Sequence, residues 1–505
     1  MVWLALWKLD ARGKSLKIRL FALLLAVLAV VPRAHAHVGS KDVFETVHAG
    51  PYTLYVTVRP PNVIPGVATV EVRSAGATIS SLKVTPLPVT GEASKHPPAA
   101  DVMQVSAQDP AFYTGAVWMM AGGTWQVRFD IDGASGHEQG SVPVVAVPLA
   151  VMTMDKGMGT VLGLLGLFLV LSMAGIVAAS VGEARLLPGA PLTPGMQRWR
   201  RIATVASLIL MALAVWGGAH WWNVEAAGYS AHIFKPAPTT ASLLGNRLDL
   251  QVGDRPRDRR DGPPPANNDD YLLDHGKVMH LYAIRWPEMD AAFHLHPELV
   301  GKRDFRDTLP SMPAGHYRLF GDIVHASGFP ETLLATVDIP EGMQGTALAT
   351  DDAEGLAAPV SGAELGTSFK LPDGYTMVWD KPATLTAGTA YGFTFHLVDA
   401  NGKPATDMQP YLGMAGHAAF VKTDGTVFAH THPEGSAVMA DVMLANQSMD
   451  SMPGMSGMAG MAPVGPTAPD VSFPYGFPNA GRYRIFIQMK HGSVVETGVF
   501  DADVK

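Results

Sequence analysis

The chain contains no cysteine among its 505 residues. Disulfides are therefore excluded, so any domain outside the cytoplasm must be stabilised by its apolar core alone. Thiolate is also excluded as a metal ligand, which leaves histidine and methionine for a site that binds a soft metal. Charged residues make up only 16% of the chain, and the net charge is −8. No basic patch is rich enough to follow a phosphate backbone, so we expect no nucleic-acid partner.

Several motifs of enzymes are missing as well. The sequence has no G-x-S-x-G nucleophile elbow, no phosphate-binding P-loop and no H-E-x-x-H zinc-protease motif. Its acidic residues are scattered and form no pair that would serve as a general acid and base. We therefore assign no catalytic residue and expect a protein that is not an enzyme.

Glycine and proline are plentiful, at 52 and 39 residues, and they separate short apolar runs. Residues 52–58, 68–72 and 125–131 alternate between apolar and polar side chains, as half-buried strands do. Short strands separated by turn residues are typical of β-sandwiches. The sequence predicts a mainly β protein with three immunoglobulin-like β-sandwich domains and two transmembrane helices.

Three apolar segments indicate export and membrane insertion. Residues 1–36 combine a basic start, an apolar run and an Ala34-His35-Ala36 cleavage site, which is typical of a signal peptide. Residues 158–181 and 202–222 are each long enough to span a bilayer. The arginines of the loop 182–201 place that loop in the cytoplasm. We expect the bacterial cytoplasmic membrane, with the soluble domains in the periplasm; an uncleaved anchor and a buried core hairpin are the alternatives.

The remaining chain divides into three soluble regions. Residues 37–150 form the first predicted sandwich. Residues 230–340 and 370–505 share a series of motifs at matched spacings, so they are two copies of one repeat, joined by a linker at 341–369. The second copy contains an insertion rich in methionine.

Each repeat carries four histidines at matched positions. They are His280, His294, His296 and His325 in the first repeat, and His417, His430, His432 and His491 in the second. In an H-x-H pair on a strand both side chains project from one face, so the two imidazoles can share a metal with a third from a neighbouring strand. Imidazole suits copper, zinc, nickel and iron. Alternatively, these histidines pack and hydrogen-bond around a turn that both repeats share.

The insertion carries a methionine at every third position. These residues are Met449, Met452, Met455, Met458 and Met461. Pro453 and the surrounding glycines prevent a packed helix, which argues against a core face. Thioether sulfur is a soft, neutral ligand that suits Cu(I), so the segment is a candidate for copper acquisition. The alternative is an adaptable loop that makes apolar contacts.

Cleavage after Ala36 would create a further metal site at the mature N-terminus. His37 would then offer both its α-amino group and its imidazole to one Cu(II) ion, with His48 as a third ligand. Otherwise His37 is an exposed terminal residue.

Particular segments resemble a known group of bacterial proteins. The runs His37-Val38-Gly39-Ser40 and Ala49-Gly50-Pro51-Tyr52, together with residues 410–417 and His430-Thr431-His432-Pro433, resemble periplasmic YtkA-like and copper-resistance-type β-sandwich proteins. This chain differs in fusing several such domains to a two-helix membrane anchor. The resemblance implies immunoglobulin-like sandwiches and a link to periplasmic metal handling.

These observations predict a membrane-anchored periplasmic metal-binding protein that acts in copper storage, delivery or resistance. The expected cofactor is copper, as Cu(I) or Cu(II), with zinc as the alternative. The expected partners are the membrane and other copper-handling proteins. Two further hypotheses stay open: a scaffold or interaction module that binds no metal, and a mononuclear copper oxidoreductase.

Overall fold

The computed structural model is mainly β, with six antiparallel sheets and three α-helices among the residues that it describes. Those residues are 42–183, 186–187, 189–231, 233–255, 269–450 and 467–505. The coarse fold class expected from the sequence is therefore confirmed.

The first soluble region consists of two sheets that share one core. Its strands are β1 (Val43–Ala49), β2 (Tyr52–Arg59), β3 (Gly66–Gly76), β4 (Ile79–Pro88), β5 (Asp101–Val102), β6 (Gln104–Val105), β7 (Phe112–Met119), β8 (Gly123–Gly133) and β9 (Gly136–Ala146), with a 3₁₀ turn at Glu92–Lys95. The sheet orders are β1-β2-β3-β7-β6 and β5-β4-β8-β9. Alternation decides which side chains are buried: Leu54 and Val56 enter the core while Tyr55 between them is exposed.

Two long apolar helices follow, α1 (Lys156–Glu183) and α2 (Pro194–Ala231). Asp155 and Thr193 cap their N-termini, since each accepts a hydrogen bond from a main-chain N–H of the first turn. Both helices are long and apolar enough to cross a membrane, and almost none of their apolar surface is covered by protein. The alternative of a hairpin buried in a protein core does not fit this exposure. The chain leaves the first region shortly before α1 and comes back to the same point after α2. At that point Phe234 N donates to Pro148 O at 2.8 Å.

The first repeat forms a second pair of sheets. Its strands are β10 (Thr239–Leu244), β11 (Arg247–Val252), β12 (Tyr271–Leu272), β13 (His280–Arg285), β14 (Ala291–Leu295), β15 (Glu298–Leu299), β16 (Asp304–Thr308), β17 (Gly315–His325), β18 (Pro330–Ile339) and β19 (Ala353–Leu356). One sheet has the order β10-β11-β16-β15, and the other has the order β12-β17-β13-β14-β19 with β18 beside β17. Strand β19 lies within residues 341–369, the predicted linker, and it pairs with β14. The weak pattern of alanine and glycine in this segment gave no sign of a strand.

The second repeat has the same plan. Its elements are β20 (Ser368–Lys370), β21 (Thr376–Trp379), β22 (Tyr391–Val398), β23 (Met408–Gln409), β24 (His417–Lys422), β25 (Phe428–Thr431), α3 (Met439–Asp450), β26 (Asp470–Tyr475), β27 (Gly481–His491) and β28 (Val494–Val504). One sheet has the order β20-β21-β22-β26, and the other has the order β23-β27-β24-β25 with β28 beside β27.

The two repeats pack face to face through the sheets that contain β13 and β24. These sheets are buried on both sides: one face closes the repeat's own core, and the other meets the partner repeat. Tyr282 and Ile284 of β13 meet Ala419 and Val421 of β24 in a shared apolar cluster. His280 and His417 begin these two strands, on the same faces, so the interface continues directly into a group of histidines.

Candidate metal centre

Seven histidines lie together where the two repeats meet. Ring centroids of neighbouring members lie between 4.6 and 6.3 Å apart. We call this group the histidine cluster; it consists of His275, His280, His294, His296, His417, His430 and His432. Six of the seven are predicted ligands. The structure thus brings together the histidines of both repeats in one place rather than in two separate sites.

The alternation of the strands explains why these rings converge. The two rings of each H-x-H pair point to the same face, and their centroids are 4.6 Å apart in His294–His296 and 4.8 Å apart in His430–His432. Pairing of β13 with β14 sets Tyr282 opposite His294, and pairing of β24 with β25 sets Ala419 opposite His430. Tyr282 stacks on the His294 ring at 4.2 Å, which fixes the plane of that imidazole.

Three histidines of the first repeat form what we call the first triad: His280, His294 and His296. One nitrogen from each lies within 4.8 Å of the others. The opposite nitrogen of each ring is held by an oxygen. These contacts are His280 Nε2 with the Asp274 main-chain carbonyl at 3.1 Å, His294 Nδ1 with Gln488 Oε1 at 2.8 Å, and His296 Nδ1 with Asp352 Oδ1 at 2.8 Å.

These oxygens decide which nitrogens carry protons. A carbonyl or carboxylate oxygen can only accept, so each ring places its single proton on the outer nitrogen. The inner nitrogens, His280 Nδ1 and His294 Nε2, then face each other at 3.1 Å with a lone pair on each. His296 Nε2 is buried and has no hydrogen-bond partner. Three lone pairs therefore converge where no described donor satisfies them all, and a metal ion would satisfy them.

A second group of three, the second triad, consists of His275, His417 and His432. Its nitrogens also lie within 4.8 Å of one another. His275 comes from the first repeat, on the loop before β13, and it has a positive φ of 51°. The second repeat has Leu412, with a φ of 50°, at the corresponding place in its loop. This triad therefore takes ligands from both repeats.

Oxygen contacts are far fewer in the second triad. His417 is fully buried, and neither of its nitrogens has a hydrogen-bond partner in the described structure. His432 Nδ1 has only a long contact of 3.4 Å with Ala437 O, and His432 Nε2 and His275 Nε2 have no partner. Leaving a buried polar group unpaired costs about 1–3 kcal/mol, and a metal ion shared by these nitrogens would remove that cost.

His430 lies between the two triads. Its ring centroid is 5.3 Å from that of His280 and 5.4 Å from that of His417. His430 Nδ1 is 3.4 Å from Asp322 Oδ2. Asp322 lies opposite His280 in the first repeat, and Gln488 lies opposite His417 at the equivalent position of the second repeat. Each of them contacts a histidine of the other repeat: Asp322 contacts His430, and Gln488 contacts His294.

Burial keeps six histidines of the cluster neutral by lowering the pKa of each one. It lowers the pKa of His280 to about 3, with a further lowering from neighbouring His296. Burial and then His275 lower the pKa of His432 to about 4. Burial is also the largest cause of the lowered pKa of four other members, which are His294, His296, His417 and His430. Neutral imidazole is the form that binds a metal, so the donor set fits copper or zinc.

The other predicted histidine ligands lie elsewhere. His325 Nε2 contacts Glu331 Oε2 at 3.0 Å, and its ring packs beside Tyr271 rather than beside the cluster. His48 is exposed and contacts Thr53 Oγ1 at 3.3 Å. His37 lies outside the described residues.

Most of the predicted methionine ligands also lie outside the described residues. Met449 is in the last turn of α3, and the other four follow it. They are Met452, Met455, Met458 and Met461. Helix α3 itself begins beside the cluster, because Ala440 N donates to Asp274 Oδ1 at 3.0 Å.

His491 belongs to a separate group with Asp373 and Glu496. One possible ligand atom from each residue lies within 4.8 Å of the others. Burial, and then the nearby Asp373 carboxylate, raise the pKa of Glu496 to about 7. Matched spacing in the two repeats therefore does not mean that all four histidines of a repeat share one site.

Sequence reasoning missed His275, Tyr411 and Gln488. The Tyr411 hydroxyl lies 3.0 Å from His294 Nδ1 and donates to Asp351 O at 2.9 Å. A search for histidines present in both repeats excludes His275, since its counterpart is a leucine. The only signal in the sequence is the position of His275, five residues before His280. The loop there has the same length as the loop before His417.

Comparisons with known proteins give little beyond this geometry. Residues 369–505 match a family described as a domain of unknown function, DUF8832. No curated protein matches the chain.

Solved structures with partial likeness are all distant. A bacterial ice-binding adhesin is 8% identical, with 91% of this chain and 99% of that chain covered and a TM-score of 0.14. A tandem-repeat segment of a large adhesion protein is 7% identical, with coverage of 92% and 75% and a TM-score of 0.16. Salmonella alpha-2-macroglobulin is 8% identical, with coverage of 93% and 24% and a TM-score of 0.18. Likeness of this size supports no inference about this chain.

Proposed function

We propose that this chain is a membrane-anchored copper-binding protein, and that the two triads of the histidine cluster each hold one copper ion. The observation that carries the proposal is the convergence of three imidazole lone pairs in the first triad, with their protons held on the outer nitrogens by oxygen acceptors. An oxygen that accepts from the outer ring nitrogen is typical of histidines that bind metal. Zinc is the alternative that the same nitrogens allow.

An entry route for a cation supports the proposal. A cleft of about 550 Å³ reaches His296, and its walls carry more acidic than basic side chains. They are Glu298, Asp307, Asp351 and Asp352 against Lys277 and Arg306. Negative charge along a cleft raises the local concentration of cations. The cleft therefore brings a cation as far as the outer side of the His296 ring, whose inner Nε2 is buried behind it.

The methionine segment suits a role in copper acquisition. His432 contacts Ala437 O, and α3 begins two residues later, next to Asp274. The chain thus runs from the second triad through α3 to the methionines. In this proposal the methionines, from Met449 to Met461, capture Cu(I) and deliver it to the second triad first.

Membrane anchoring in the bacterial cytoplasmic membrane, with immunoglobulin-like sandwiches in the periplasm, completes the proposal. Two apolar helices support the anchor. Contacts between the first region and the repeats support a single side for both, because Thr46 N donates to Glu434 O at 2.7 Å and Thr124 Oγ1 donates to Gly328 O at 2.7 Å. Two membrane spans return the chain to the side from which it left, so the first region and the repeats would lie on the same side of the membrane. The resemblance to YtkA-like and copper-resistance-type proteins belongs to the same proposal, as does storage, delivery or resistance as the role.

Copper analysis of the purified full chain in detergent tests the proposal. We expect two tightly bound copper ions per chain, and one fewer in either His296→Gln or His417→Gln. The control is His316→Gln, which alters an exposed histidine bonded to Asp338 and should keep both ions. Copper binding that is equal in the wild type and both triad variants would refute the proposal. Unfolding temperatures that do not respond to copper would favour a scaffold without metal, since a ligand of the folded state must stabilise it.

A further inference from the structure

The group around His491 has the features of a second, chemically different site. Its three residues come from separate elements: Asp373 from the turn between β20 and β21, His491 from the end of β27, and Glu496 from β28. His491 is only 6% exposed and Glu496 only 8% exposed, while Asp373 reaches the surface. Two members of the group are therefore buried, and the third is an exposed carboxylate.

The His491 ring is oriented so that its two nitrogens face different carboxylates. His491 Nδ1 lies 3.3 Å from Asp407 Oδ2, and the ring stacks on Tyr375 at 4.1 Å. His491 Nε2 is buried 2.8 Å from Asp373 Oδ2 but not in hydrogen-bonding geometry. A carboxylate on the outer nitrogen of a histidine, with the other nitrogen free among carboxylates, is the arrangement of a metal ligand.

The equivalent place in the first repeat shows how the fold neutralises such a group. Strand register makes His325 and Glu331 the counterparts of His491 and Glu496. There, Arg255 forms an ion pair with Glu331, and this guanidinium supplies the positive charge. In the described part of the second repeat no lysine or arginine forms an ion pair with Asp373, Asp407 or Glu496. Glu496 is the buried carboxylate of this group, and a buried carboxylate without a cation is costly, so a bound cation would supply the charge that Arg255 supplies in the first repeat.

We propose that Asp373, His491 and Glu496 bind a divalent cation in the position that Arg255 neutralises in the first repeat. One imidazole and two carboxylates suit Mn²⁺ or Zn²⁺ and are too hard a donor set for Cu(I). Asp407 is a positioning residue that keeps the proton of His491 on Nδ1. This site does not depend on the histidine cluster, so it stands or falls independently of the proposed copper function.

Mn²⁺ distinguishes this site from the histidine cluster, because manganese favours carboxylates over imidazole-only sites. The experiment is a titration of the full chain in detergent, freed of metal by a chelator, with free Mn²⁺ followed by electron paramagnetic resonance. We expect one saturable site per chain, which Zn²⁺ displaces. Bound Mn²⁺ should show a nitrogen coupling from His491 in pulsed spectra.

Single substitutions locate the site. Asp373→Asn and Glu496→Gln should each weaken Mn²⁺ binding by at least tenfold, and Asp407→Ala should weaken it by about 10–100-fold. The control is Asp380→Asn, which alters an exposed carboxylate bonded to His396 at 2.8 Å and should bind Mn²⁺ as the wild type does. Asp373 is exposed, so loss of folding would not explain its effect.

Two results would overturn the inference. One is the absence of saturable Mn²⁺ binding in the wild type. The other is Mn²⁺ affinity that Asp373→Asn leaves unchanged. The content of copper loaded as Cu(I) should be the same in the wild type and in all of these variants, so a failed Mn²⁺ experiment would say nothing against the histidine cluster.

Discussion

The two repeats share a framework but satisfy their polar groups in different ways. In the first triad every outer nitrogen meets an oxygen at 3.1 Å or less. In the second triad His417 meets none, and the one contact of His432 is 3.4 Å long. Oxygen acceptors that orient the imidazole ligands raise metal affinity. We therefore expect the first triad to bind copper more tightly and the second triad to exchange it more readily. The second triad is also the one whose His432 lies shortly before α3, the helix that leads along the chain to the methionines, which suits transfer from the second triad to the first.

A matched pair of arginines shows the same divergence. Arg484 of β27 is completely buried and forms an ion pair with Asp501 at 2.9 Å. Arg318, its counterpart in β17, is half-buried and stacks over the Trp286 ring at 4.0 Å. Strand register places Thr336 where the second repeat has Asp501. One repeat thus uses a buried ion pair where the other uses an aromatic face.

Replacing each arginine with methionine should give the largest difference between the repeats. Arg484→Met should lower the free energy of unfolding by about 3–5 kcal/mol, because it leaves the Asp501 carboxylate buried without its main cation. Arg318→Met should cost at most about 1 kcal/mol, the range for an accessible cation–π contact. Denaturant unfolding of the two variants, prepared without metal, measures both values.

The outcome depends on Arg484 and Asp501 acting as a pair. The Arg484 guanidinium also donates to Met289 O at 2.9 Å and to Ala358 O at 2.7 Å, so it joins the two repeats. Equal losses in the two variants would mean that the buried pair contributes no more than the stacked arginine. The two repeats would then differ in how they bond this arginine but not in how much it stabilises them.

The second prediction concerns the oxygen acceptors of the first triad. Asp352→Ala removes the carboxylate that holds the proton of His296 on Nδ1. We expect copper affinity of the first triad to fall about 10–100-fold, which corresponds to about 1.4–2.7 kcal/mol. Competition with a Cu(I) chelator of known affinity measures the change.

Asp338→Ala is the matched control for this substitution. Asp338 accepts from His316 Nδ1 at 2.7 Å, almost the same contact, but at the surface and away from the cluster. This variant should keep the copper affinity of the wild type. If Asp352→Ala also keeps it, the outer oxygens do not tune the site, and the difference proposed between the two triads would be unsupported.

Some of this site follows from the sequence and some does not. Period-two alternation predicts that both rings of His294–His296 share a face, because a strand allows nothing else. The face-to-face packing of the repeats does not follow, since an apolar face such as Tyr282 and Ile284 does not specify the surface that covers it. Repeat matching also grouped His325 with the other histidines of its repeat, whereas in the structure His325 contacts Glu331, which also pairs with Arg255 from a distant part of the chain.

Elements without a strong pattern were the least predictable. Strand β19 has only four residues and is stabilised by pairing with β14, so its sequence carries little signal of its own. His275 adopts a positive φ that favours glycine or asparagine, and no local pattern indicates a ligand there. Such features depend on tertiary contacts, which a single sequence does not reveal.

The third and smallest expected effect is the response of the buried ion pair to acid. Burial raises the pKa of Asp501, but hydrogen bonds from Arg484, the Leu365 N–H and Arg482 outweigh it, and the pKa is lowered overall. The folded state therefore binds this proton less readily than the unfolded state does. The resulting stability is fully present above the ordinary aspartate pKa, about 3.9, and is lost as the pH falls through the lower pKa of the folded state.

Asp501→Asn should remove this dependence and leave a flatter profile of unfolding free energy below about pH 4, with a difference on the order of 1 kcal/mol. Thr336→Val, at the matched position in the first repeat, removes no charge and should leave the slope of the wild type unchanged. Thermal unfolding of metal-free protein between about pH 3 and pH 6 gives the three profiles. Parallel slopes for the wild type and Asp501→Asn would show that the buried pair does not control acid stability, because the slope measures only the difference in bound protons between the folded and unfolded chains.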